Sequence, residues 1–172
     1  MERELRRYQN LLVCVGSGII LFGFWSLVKG VMSMFLYRDE FEELLISLGT
    51  TEEELGFAVP FVYIVLTVLI LIDLTLRVIV GSSAKKEGRG RAGKNQKAYL
   101  IFGVVLGVIV VCSLVGDISN FTENFDNLFD GIITIVIEVT SIAMIVELFV
   151  AGLKVKHLKK KIAEAKGEEA AA

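Results

Sequence analysis

Five ionisable side chains, Lys29, Asp73, Arg77, Glu138 and Glu147, stand inside runs of leucine, isoleucine, valine and glycine. The stretch LILIDLTLRVIVG, Leu69 to Gly81, holds two of them four residues apart. In an apolar medium such groups either hand protons or cations along or pair with one another and fix how helices pack. A charge at the centre of a bilayer costs about 2.5–3.5 kcal/mol on insertion scales, which drives it to face a bundle interior and to pair. Asp73 and Arg77 are i and i+4 on one helix face, so each supplies the other's counter-charge. Arg77 can also reach the headgroups at the nearer end.

Lys29 lies seven residues from the end of its run at Leu36, and Glu138 seven from the start of its run at Gly131. Both are about 10 Å deep from the same side at 1.5 Å per residue, so a pairing across the bundle is expected. Glu138 and Glu147 are nine residues apart, about 900° around a helix, and therefore on opposite faces. A helix carrying both packs on two sides, one of them against another subunit. With two cations and three carboxylates, one acid lacks a fixed partner; it is neutral, or it binds a proton or cation in a working cycle.

These residues need membrane helices to hold them. Hydrophobic residues make up 54% of the 172, and mean hydropathy is +0.66. They come in blocks, giving spans at about 11–36, 57–80, 98–118 and 131–153, followed by a basic tail at 154–172. Crossing the hydrocarbon core takes about 20 residues. The opening MERELRR resembles the charged start of a secretory signal, but the apolar run after it is too long and no A-x-A site follows, so a retained span is expected.

Charge placement fixes the threading. Fifteen of the 18 basic residues lie in the N-terminal segment, the loop from Gly81 to Lys97 and the C-terminal tail. The two remaining loops hold Arg38 against eleven carboxylates. Short loops rich in Lys and Arg stay cytoplasmic, which puts both termini inside, with the cell membrane the expected site. In the tail, Lys156, Lys159, Lys160 and Lys161 suit anionic lipid headgroups, at about 1 kcal/mol per charge near the surface. His157 has no ligand partner at helical spacing.

The first outer loop predicts a short amphipathic helix, with Phe41, Leu44, Leu45 and Leu48 at three- and four-residue spacing among acids. Gly49 is its C-cap, and Thr50 or Thr51 with Glu53 or Glu54 forms a capping box for the next helix, which Pro60 is expected to kink. The second outer loop carries Phe121, Phe125 and Phe129 in one stripe and a sequon, Asn120-Phe121-Thr122, too near the membrane to be modified. Asp117, Asp126 and Asp130 there read as solvated acids rather than calcium ligands.

Gly103 and Gly107 form a G-x-x-x-G pair in span three, and span one adds Gly16, Gly18, Gly23, Ser26 and Gly30. Small residues so spaced let helix backbones approach closely. Thr134, Glu138 and Ser141 make a polar stripe on span four, placed to hydrogen-bond across helices. GRGRAGKN, Gly88 to Asn95, matches the glycines and lysine of a P-loop but has Asn95 where Ser or Thr ligates magnesium, in a loop between two membrane spans; it reads as a basic turn. Cys14 and Cys112 form no C-x-x-C.

The fold expected is all-α, a polytopic four-helix transmembrane bundle forming one domain, with a short extracytoplasmic amphipathic helix. No catalytic constellation, metal site or cofactor motif is found, and no nucleic-acid partner is expected. The function expected is a packing or accessory subunit of a membrane complex or homo-oligomer. The alternative is a homo-oligomeric proton- or cation-conducting channel or transporter using the intramembrane carboxylates, with a lipid-processing enzyme a distant third.

Overall fold

The computed structural model describes residues 1–36, 38–91, 98–123 and 128–169. Five helices follow in order: α1 (Glu2–Leu36), α2 (Arg38–Ser47), α3 (Glu52–Gly88), α4 (Ala98–Glu123) and α5 (Leu128–Glu169). Four are long and apolar enough to cross a membrane, and α2 is the short helix expected between the first two spans. The long helices run past their apolar stretches. α1 begins nine residues before Leu11, its first turn carrying Glu2 and Glu4, whose negative charge complements the helix dipole. α3 continues unbroken through Pro60 and ends on Lys85 and Lys86, charges suited to a C-terminus.

Local chemistry accounts for the ends. Gly49 takes φ 95°, a left-handed conformation in which a Cβ is strained. Its N–H donates to the Ile46 carbonyl at 2.9 Å and Thr50 N–H to the Leu45 carbonyl at 3.1 Å, the paired bonds of a Schellman cap on α2. The Thr51 N–H then donates to Glu54 Oε2 at 3.1 Å, one arm of the expected capping box at the start of α3. α3 ends by the same device, with Gly90 at φ 71° and bonds from Gly90 N–H to the Glu87 carbonyl and from Arg91 N–H to the Lys86 carbonyl.

The chain divides into two compact units. The first comprises residues 1–20 and 77–172. Here parts of α1, α3, α4 and α5 surround one core, with Leu12 and Val15 from α1, Val80 and Ala84 from α3, Leu106 from α4 and Leu148 from α5 all buried. Glycine makes the α1–α3 approach possible. A Cβ added at Gly16 would stand 2.6 Å from the Gly81 carbonyl oxygen, and one at Gly81 would stand 2.5 Å from that of Gly16. Two turns on, a Cβ at Gly88 would meet the Gln9 carbonyl oxygen at 2.5 Å.

The second unit is Leu21–Leu76, made of the rest of α1, α2 and the first part of α3. Gly30 packs against Ile70, and the Phe41 ring meets Tyr63 edge-on at 6.1 Å, which ties α2 to α3. Arg38 pairs with Glu42 one turn along α2 at 3.1 Å, and that hydrogen bond, more than the charge itself, raises the guanidinium above its ordinary range. Leu44 and Leu48 remain exposed.

Candidate functional site

The intramembrane ionisable groups are distributed between the units. Lys29 and Asp73 belong to the second, Lys29 exposed and Asp73 half-buried; Arg77, Glu138 and Glu147 belong to the first. Arg77 is buried at 8% exposure, one turn along α3 from Asp73. Lys29, Asp73, Arg77 and Glu138 each engage a neighbour. Glu147 stands apart: its side chain is exposed, and among the described residues it makes no hydrogen bond or ion pair.

α5 sorts these groups by face. Thr134 and Ser141 are buried and Glu138, between them, is half-buried. Ser141 donates to the Ile137 carbonyl of its own helix at 3.0 Å rather than to a neighbouring one. Glu147 lies on the opposite side, as the nine-residue separation requires. The phenylalanine stripe, the sequon, Asp126 and Asp130 fall outside the residues whose side chains are described, while Asp117 is half-buried on α4.

A second charged centre lies beyond the apolar stretches. Glu87, one residue before the end of α3, is 5% exposed and accepts a hydrogen bond from Lys159 Nζ of α5. Lys159 keeps 32% of its side chain exposed and is committed to this pair, whereas Lys156, Lys160 and Lys161 are exposed; Lys160 also lies 3.6 Å from Glu164. The pair forms because the packing continues past the apolar run: Val155 and Leu158 of α5 are buried at 0% and 8% exposure. Tyr99, 4% exposed, lies over Gly152, where a Cβ would meet its hydroxyl at 2.7 Å.

Glu87 was legible only weakly. It is the sole carboxylate among the six basic residues of the loop from Gly81 to Lys97, and such an isolated acid needs a reason. Gly103 and Gly107 face α5: a Cβ at Gly103 would lie 3.3 Å from Leu148 and Phe149, and one at Gly107 would lie 3.5 Å from Ile145. These are ordinary to tight contacts with side chains, unlike the backbone approach at Gly16 and Gly81. Gly88, the first residue of GRGRAGKN, is spent on helix packing.

Near the chain's start, Arg3, Glu4, Arg6, Arg7 and Asn10 of α1 line an open groove of about 610 Å³, basic on balance. Cys14 and Cys112 are free, exposed thiols. Among the described residues no group of three or more His, Cys, Asp or Glu is placed to hold a metal ion. Among the described residues the arrangement is all-helical, with four helices long and apolar enough to cross a membrane and, beyond the apolar stretches, an ion pair between buried Glu87 and partly exposed Lys159. Comparison with protein-family models, curated proteins and solved structures found no match.

Proposed function

We propose that the chain is a small integral membrane protein, termini in the cytoplasm, that serves as a packing or accessory subunit of a membrane complex or homo-oligomer. The observation that carries this reading is the division of α5 into an inward face bearing Glu138 and an outward face bearing Glu147. One copy cannot line a single path with both acids, and a carboxyl on an outward face within the bilayer is costly against lipid. A neighbouring chain relieves that cost. The broad apolar exposure of the spans, with the most apolar window of the second only 6% buried, leaves ample surface for such contacts.

The rival reading, a homo-oligomeric path for protons or cations, has in its favour the line of Thr134, Glu138 and Ser141 on the inward face of α5. The mass of the complex extracted from its own membrane in mild detergent, with every co-purifying chain identified, separates the two. A larger partner in fixed ratio supports the accessory role. A discrete homo-oligomer whose pH-dependent flux in liposomes disappears in Glu138→Gln would establish the rival, and a lone monomer without flux would overturn both.

A further inference from the structure

Arg3, Arg6, Arg7 and Asn10 stand at i, i+3, i+4 and i+7, which is one face of α1. The opposite face holds them there: Leu12 and Val15 are buried in the core, with Leu5 and Tyr8 packed against it. The three arginines are exposed, and among the described residues none of them takes part in an ion pair or a hydrogen bond. With Glu4 and Asn10 they line the open groove of about 610 Å³, three positive charges against one negative.

Depth decides which anions such a groove meets. Arg7 and Arg6 lie four and five residues before Leu11, where the apolar run begins, or about 6 and 7.5 Å along the axis. The headgroup layer outside the hydrocarbon is about 5–8 Å thick. These two guanidinium groups therefore stand level with lipid phosphates. Arg3, about 12 Å out, stands level with whatever a headgroup carries beyond its phosphodiester. Past the groove the same face enters the apolar run as Cys14 and Ser17, both exposed. Ser17 gives its hydroxyl to the Val13 carbonyl at 2.8 Å, so this lane offers acyl chains no unsatisfied donor.

We propose that the groove binds one phospholipid whose headgroup is a phosphorylated polyol, with its phosphodiester on Arg6 and Arg7 and its outer phosphate on Arg3. The inference goes beyond the accessory-subunit reading and rests only on α1 crossing a membrane from Leu11 onward. A guanidinium fork grips two phosphate oxygens at once. Glu4 opposes a plain anion, but its carboxylate accepts hydrogen bonds from headgroup hydroxyls, and Asn10 both donates and accepts. A headgroup bearing phosphates and hydroxyls uses all five residues. Phosphatidylglycerol, which has no outer phosphate, leaves Arg3 without a counter-charge.

The test is lipid retention by the full chain in mild detergent, read by native mass spectrometry. The probes are phosphatidylinositol phosphate, phosphatidylglycerol and phosphatidylcholine. One phosphatidylinositol phosphate per chain is expected, held more tightly than either of the others. Arg3→Ala, Arg6→Ala and Arg7→Ala are each expected to weaken it about fivefold, the effect of one basic residue at an anionic surface. Arg6→Lys with Arg7→Lys keeps the charge but loses the fork, and is expected to weaken binding less than the two alanines together. Lys156→Ala, Lys160→Ala and Lys161→Ala combined remove as many exposed charges from α5, and are expected to leave binding nearly unchanged. Equal losses from the α1 and α5 triple variants would show diffuse attraction and overturn the groove. Equal retention of phosphatidylinositol phosphate and phosphatidylglycerol would overturn the headgroup. Displacement by free inositol phosphate at matched concentration would make the ligand a soluble one and overturn the lipid. None of these results touches the accessory role, which stands or falls on the chains that co-purify.

Discussion

Gly16 of α1 and Gly81 of α3 hold each other's carbonyl oxygens so near that a methyl group on either would lie 2.5–2.6 Å from the other's backbone. Two backbones, rather than a backbone and a yielding side chain, set this distance. Either Gly16→Ala or Gly81→Ala therefore has to push two helices apart, and a strain of about 1–3 kcal/mol is expected, as for overpacked cores. Thermal unfolding in detergent measures it. Gly116→Ala on α4, where an added Cβ meets nothing within 4 Å, is the matched control and is expected to be neutral or slightly stabilising. A Gly81→Ala protein as stable as the control would mean that α1 and α3 are not in this contact.

The Glu87–Lys159 pair makes a different prediction. Removing one member of a buried pair strands the other, at about 3–5 kcal/mol when both are fully buried. Lys159→Met strands the buried Glu87 and is expected to lose about 3 kcal/mol, whereas Glu87→Ala strands a lysine that is partly exposed and able to turn to water, and is expected to lose less, about 1–2 kcal/mol. The exchange Glu87→Lys with Lys159→Glu is expected to recover part of what each single exchange loses. Additive losses in the double variant would dissolve the pair.

At Gly49 the left-handed cap is the determinant. Gly49→Ala is expected to fray the end of α2 by about 1 kcal/mol, and Gly49→Asn by less, because asparagine tolerates the conformation better. Amide exchange at Thr50 and Gly49 reports it directly, since those two N–H groups close the cap. Unchanged exchange in Gly49→Ala would show that the cap is dispensable.

The helices were legible because their signals are local. Block hydrophobicity marks four spans wherever twenty apolar residues occur together, and Gly49, Thr51 and Glu54 announce caps through side-chain chemistry confined to four residues. Helix ends were less so: α1 and α3 outrun their apolar stretches, and on α5 the buried Val155 and Leu158 lie among lysines, where hydropathy averaged over a window hides them. Lys159 read as one of a cluster, and only three-dimensional packing singles it out to meet Glu87. Gly81 and Gly88 were hidden for the same reason. They lie in a segment that reads as basic loop, and their role emerges only when Gly16 and Gln9 arrive from the other end of the chain.

α5 runs 42 residues without interruption, about 63 Å at 1.5 Å per residue, roughly twice the thickness of a bilayer's hydrocarbon core. A rod of that length is a lever. Were it to pivot where Lys159 meets Glu87, a tilt of about 10° would sweep a tip some 15 Å beyond that contact through about 3 Å. Because α5 is continuous as far as Glu169, a change in the tilt of its apolar part is carried along the helix without a break.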